Sequence, residues 1–151
     1  RGINIDISKE SIEMFKIFRS KDLNLNIGIS NKNGFQKAYF EKPISTLSSL
    51  DKNYLPIVGR KNLIVRDIKV YTLKKLREKY KIKSIDFLKI DCESVDEKIV
   101  LNSSLKDLDC KFLCIEIIPE SHYNKKNKSD QKYYKHLFLK TKIYRKIKKK
   151  I

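Results

Sequence analysis

Glycine and proline are scarce in this chain, four and three among 151 residues. Collagen-like and low-complexity architectures need far more of both and are excluded. Three cysteines, Cys92, Cys110 and Cys114, are too few for a disulfide scaffold. Cys110 and Cys114 are spaced too loosely for a C-x-x-C pair, and Cys114, inside an apolar run, reads as a buried thiol. With His122 and His136, the two histidines, the cysteines match no common zinc spacing, so no metal is expected. No apolar run approaches the ~18 residues a membrane helix requires, and no signal peptide is visible. A reduced, cytoplasmic setting follows as the default. Without a secretion signal, the glycosylation patterns at Asn102-Ser103-Ser104 and Asn127-Lys128-Ser129 carry no weight.

Acidic side chains are the other shortage. Lys and Arg number 35 against 18 Asp and Glu, and 35 − 18 gives a formal charge of +17. That excess can attract nucleic acid, an anionic membrane or an acidic substrate. It can also reflect a chain biased toward Lys, with solvated basic faces. The apolar residues are plentiful and come in blocks, as in a globular domain. At this length one domain is expected, burying about two-thirds of its unfolded surface.

The few acids are unevenly placed. Ile85, Phe87, Leu88 and Ile90 form a short apolar run suited to a strand buried on both faces. It ends in Asp91, Glu93, Asp96 and Glu97. Ser94-x-x-Glu97 reads as a capping box, with Val95, Ile99 and Val100 opening a helical pattern. The sequence thus runs strand, acidic turn, helix. In an open α/β sheet, ligands sit outside the carboxyl ends of strands, where Asp91 and Glu93 would stand.

The rest of the chain supplies the frame. Gly2–Asp6 reads as a strand ending in an acid, and Ser8 can cap a helix with Ile12, Phe15 and Phe18 on one face. Leu23, Leu25, Ile27 and Ile29 alternate with polar residues or glycine as one period-two strand. Asn31–Gly34 is a turn signal, and Phe35–Phe40 returns as a strand. Residues 41–62 read as an irregular insertion loop with one helical turn near Leu50–Tyr54, of a length that is often functional. Leu63–Tyr71 is a strand, and Thr72 caps a helix with Leu73, Leu76 and Tyr80 inward. Lys111–Ile118 is a further buried strand carrying Glu116, and 124–151 form a basic helix and tail. Alternating strands and helices imply a mostly parallel, doubly wound sheet.

Several of these pieces resemble a known family in order. Ile85-Asp86-Phe87-Leu88-Lys89-Ile90-Asp91-Cys92-Glu93 resembles the central motif of the FkbM-type methyltransferases. Gly2–Asp6 resembles that family's second strand, Leu25–Gly34 its third strand and turn, Val70–Leu73 its "vTL" segment, and Phe112–Glu116 its fifth strand. The resemblance covers Gly2 to Pro119. It implies a Rossmann-like α/β fold, S-adenosylmethionine as cofactor, and O-methylation of a sugar or glycosylated small molecule. By the same resemblance Asp6 would bind the cofactor's ribose hydroxyls, and Ile29 and Ser30 would border the adenine. Asp91 would face the methionine end or the acceptor. Glu93 and Glu116 would position or deprotonate the acceptor hydroxyl.

Two departures from the family pattern stand out. Ser94 and Asp96 occupy the positions where the family usually has Gly and Glu. The family's first strand and Gly-rich turn do not precede Gly2, so the chain is expected to be truncated at its start. About two-thirds of a catalytic domain would then be covered. Such a piece is expected to bind the cofactor weakly alone and to be inactive. A rival reading starts from Lys125–Lys150, with twelve basic residues, one acid (Asp130), and Tyr133, Tyr134 and Tyr144 interleaved. Such an end can serve a nucleic-acid- or anionic-membrane-binding module on a non-catalytic α/β scaffold. A small-molecule or glycan acceptor is nevertheless the expected partner.

Overall fold

The structure, a computed structural model, describes residues 1–115 apart from 46, 58, 60, 105 and 106. Side chains at 56, 57 and 97 are likewise outside the description. Arg1–Cys114 form one compact unit; of a second, Ile115–Ile151, only Ile115 is described. The basic end and Glu116 lie outside the described residues.

The chain opens with β1 (Ile3–Asp6), then α1 (Lys9–Phe18), then β2 (Leu23–Asn26), which pairs parallel to β1 with Asp6 opposite Asn26. Ser8 caps α1 as its residue type suggests, its hydroxyl accepting the Ser11 amide at 3.1 Å. Of the expected apolar face only Ile12 is fully buried, and Phe18 stands 75% exposed.

The single alternating strand expected over 23–29 is two strands. The Ile27 amide donates to the Leu25 carbonyl at 3.1 Å, a tight local turn that ends β2 and starts β3 (Gly28–Ile29). Ile27, 7% exposed, is drawn into a cluster with Tyr71 and Leu76. The two halves therefore pair differently, β2 with β1 and β3 with β6 (Ile64–Tyr71).

β4 (Gly34–Phe40) follows the Asn31–Gly34 turn, where Gly34 takes φ +125°, a conformation costly for a side chain. It returns against β6 rather than β3, antiparallel over seven residues from Gly34–Val70 to Phe40–Ile64. β5 (Ser48–Ser49) adds to its other edge, giving the order β3-β6-β4-β5. Among the described residues the strands thus form three sheets, one mixed, rather than one doubly wound parallel sheet. The physical reasons are the turn at Ile27 and the antiparallel return of β4.

The core of the mixed sheet is Ala38, Phe40, Ile68 and Val70, alternate positions on neighbouring strands, with Ile7, Leu50 and Ile64 packed against them. Burying each large side chain there contributes about 1.5–3 kcal/mol. The 41–61 segment is anchored rather than loose: α2 (Tyr54–Ile57) gives one helical turn, and Leu55 is fully buried.

Thr72 caps α3 (Leu73–Lys79) through the Lys75 amide at 3.1 Å, and Leu73 and Leu76 are buried. β7 (Phe87–Ile90) pairs with β8 (Phe112–Ile115), and α4 (Asp96–Asn102) lies between them in sequence. Neither strand is buried on both faces. Phe87 and Phe112 are exposed while Ile90 is buried, and Cys114 is exposed rather than a buried thiol. Alternation, not full burial, fits these strands, because they form a two-stranded sheet. No described helix is long and apolar enough to cross a membrane.

Candidate functional site

Two strand ends supply the site. At the end of β1, Asp6 Oδ1 accepts the Ser8 amide at 2.7 Å. Asn26 of β2 donates to the carbonyls of Asp6 and Ile7, each at 3.0 Å, and fixes that end of the strand. Burial raises the Asp6 carboxyl above its ordinary value, with the Ser8 amide working the other way. The buried Ser8 hydroxyl also donates to the Pro43 carbonyl at 3.3 Å, so the 41–61 segment starts against this strand end.

The second end is the turn from β7 into α4. Glu93 and Ser94 lie there at φ +48° and +80°, two successive left-handed residues that are not glycine. The Ser94 half of the capping box does not form. α4 begins at Asp96, its N-cap position Val95 makes no side-chain bond, and among the described residues the buried Ser94 hydroxyl has no partner. Asp96, 1% exposed, instead reaches back to accept the Cys92 amide at 2.8 Å through Oδ1. Its Oδ2 is buried without a partner among the described residues. Ser94 at the family's glycine position adopts the twist all the same, at the strain a Cβ imposes.

Glu93 is gripped from the 41–61 segment. The Tyr54 hydroxyl donates to its carboxylate, and the Ser49 hydroxyl donates to its carbonyl at 2.7 Å. Ser49 in turn accepts the Asp51 amide at 2.9 Å, and Asp51 pairs with Lys98 of α4 at 3.6 Å. Asp91 is exposed and pairs with Lys89 at 2.8 Å. Burial, and then the charges of Asp91 and Asp96, raise the Glu93 carboxyl, against the Tyr54 hydrogen bond.

Cys92 lies in the same turn and is shielded from water. Desolvation first, then the carboxylates of Asp96, Asp91 and Asp6, push this thiol up to about 12. Of the acids named from sequence, Asp6 stands at the end of β1, and Asp91 and Glu93 stand in the turn between β7 and α4. Ile29 packs beside Ile27, Tyr71 and Leu76. Ser30 donates its amide to the Tyr71 carbonyl at 2.9 Å, and its hydroxyl lies 3.2 Å from Gln36 Oε1. Sequence reasoning missed Tyr54, Ser49 and Asp96. Only Asp96 left a signal, as an acid at the family's Glu position. Among the described residues no group of three or more His, Cys, Asp or Glu is placed to hold a metal ion.

The acceptor-rich character of this site fits a ligand that presents hydroxyls and positive charge. A family model described as the methyltransferase FkbM domain matches residues 5–145. The match runs beyond Pro119 and takes most of the basic end into the same domain. No curated protein and no solved structure matches the chain. The chain, with its strand–acidic turn–helix centre, belongs to the FkbM methyltransferase family.

Proposed function

We propose that this domain transfers the methyl group of S-adenosylmethionine to a hydroxyl oxygen of a sugar or glycosylated small molecule. The observation that carries the reading is the family match over residues 5–145, with Asp6 at the end of β1 and Glu93 held by Tyr54 in the turn after β7. A carboxylate at a strand end is a double acceptor suited to a vicinal diol. Asp6 has one oxygen committed to Ser8, and its remaining acceptor capacity suits ribose hydroxyls. Asp91 would attract the cofactor's ammonium or orient the acceptor. Ile29 and Ser30 would border the adenine in a Rossmann-like arrangement of the whole domain.

When bound, the cofactor supplies an electrophilic methyl group, so alignment contributes much of the acceleration. The chain's own contribution is to orient the acceptor and take its proton. A sugar hydroxyl has a high pKa, so a nearby general base helps. Glu93 suits that role: burial and like charge make it a stronger base than an ordinary glutamate. Glu116 is a further candidate for the same work. Exposing the full-length protein to methyl-labelled S-adenosylmethionine and a panel of sugars and glycosides tests the reading. Label on a hydroxyl oxygen, lost in Glu93→Gln, supports it. Binding of the cofactor with transfer only to nitrogen or carbon would contradict it.

A further inference from the structure

The 41–61 segment meets the acidic turn at both the backbone and the side chain of one residue. Ser49 holds the Glu93 carbonyl at 2.7 Å, and Tyr54 holds its carboxylate. We propose that Tyr54 is a positioning residue for Glu93, fixing the carboxylate in the orientation and ionised form in which it meets an acceptor hydroxyl. This rests on the methyl-transfer reading above and assigns a task to a segment that reading leaves idle.

Three observations carry it. First, Glu93 and Ser94 occupy left-handed backbone, which is uphill for residues bearing a Cβ and persists only where surroundings over-determine it. The Ser49 bond is such a determinant, and Ser49 is itself 1% exposed and locked by the Asp51 amide. Second, a glutamate carboxylate has three free torsions, and a base must stay within hydrogen-bond reach of its proton. The Tyr54 hydroxyl, on a residue 7% exposed, fixes it. Third, the charges around Glu93 oppose its ionisation. Asp91 and Asp96 of its own turn favour the protonated form, as does burial. Asp6 of β1 adds negative charge at the adjoining Cys92. Among the described residues, Lys89 of β7 pairs with Asp91 and Lys98 of α4 pairs with Asp51. The Tyr54 hydrogen bond favours the ionised form against all of these.

The test is a pH titration of the folded protein carrying ¹³C at glutamate carboxyl and tyrosine Cζ positions. The Glu93 resonance is assigned by its loss in Glu93→Gln. In wild type the Tyr54 Cζ signal should move with the Glu93 midpoint. In Tyr54→Phe that midpoint should shift upward, while S-adenosylmethionine affinity changes by less than about twofold, as for a group that only steers a neighbour. An unchanged midpoint in a folded Tyr54→Phe variant overturns the proposal. If that variant does not fold, the wild-type titration decides, and a Tyr54 signal indifferent to Glu93 overturns it equally. Failure of the wild-type protein to bind S-adenosylmethionine instead overturns the methyl-transfer reading, and with it the role of Glu93 as base.

Discussion

Replacing Ser94 by glycine should stabilise the protein, although serine is the natural residue. Ser94 sits at φ +80°, and a left-handed residue with a Cβ costs about 1–2 kcal/mol. Its buried hydroxyl has no partner among the described residues, which adds about 1–3 kcal/mol of desolvation. Glycine relieves both and returns about 0.5–1 kcal/mol in unfolded-state entropy. The balance favours Ser94→Gly by about 2 kcal/mol. With a urea slope of about 2 kcal/mol/M, the unfolding midpoint should rise by about 1 M at constant slope. Ser94→Ala removes the hydroxyl but keeps the Cβ, so it should deliver about half of that gain. A glycine variant with a lower midpoint would refute the reasoning. An alanine variant equal to the glycine variant would show that backbone strain contributes nothing.

Other expectations follow from the same geometry. A Cβ at Gly28 would meet Val70 Cγ1 at 3.0 Å and Ile7 Cγ2 and Leu50 Cδ1 at 3.2 Å, so Gly28→Ala should cost about 1–3 kcal/mol by overpacking, measured by urea unfolding. A thiol reagent at pH 8 should label exposed Cys114 quickly; Cys92, partly exposed as a residue but with its thiol pushed up to about 12, should react only on unfolding. The Arg66 guanidinium, 2.9 Å away, holds Glu10 down to about 2 from its ordinary 4.5. That pair therefore contributes stability above about pH 4.5, which is lost as pH falls through 2. Glu10→Gln should flatten this acid limb, by no more than about 1 kcal/mol for a pair still partly open to solvent. Asp6 and Glu93 have the opposite sign: their raised carboxyls cost stability once ionised, and acidification through their folded-state values restores it.

Features set by neighbouring residues were legible in the sequence. Ser8 and Thr72 cap their helices because a cap bond spans only three residues. β1, β4 and β6 follow the apolar pattern and the Asn31–Gly34 turn. The acidic turn was visible because a cluster of acids directly after an apolar run is legible in one dimension. Pairing choices were less legible. Nothing in the alternation of Leu23–Ile29 marks Ile27 as a break, since Ile27 is apolar and inward either way. The Ser94-x-x-Glu97 signature misled because Ser94 caps no helix amide, while Asp96 reaches back to the Cys92 amide ahead of the helix. Tyr54 reaches Glu93 from 39 residues away, and no local pattern encodes such a contact.

We propose that Asp6 and the Asp91–Asp96 turn hold the cofactor. Calorimetric titration of the full-length protein with S-adenosylmethionine tests it most directly. The account expects saturable binding by wild type, weakened about 10- to 100-fold in Asp6→Ala through loss of charged hydrogen bonds. Asp6→Asn, which keeps an acceptor for the Ser8 amide, separates cofactor binding from repair of the strand end. It should fold like wild type and still bind more weakly. Absence of binding by wild type, or wild-type affinity in both variants, would contradict the account.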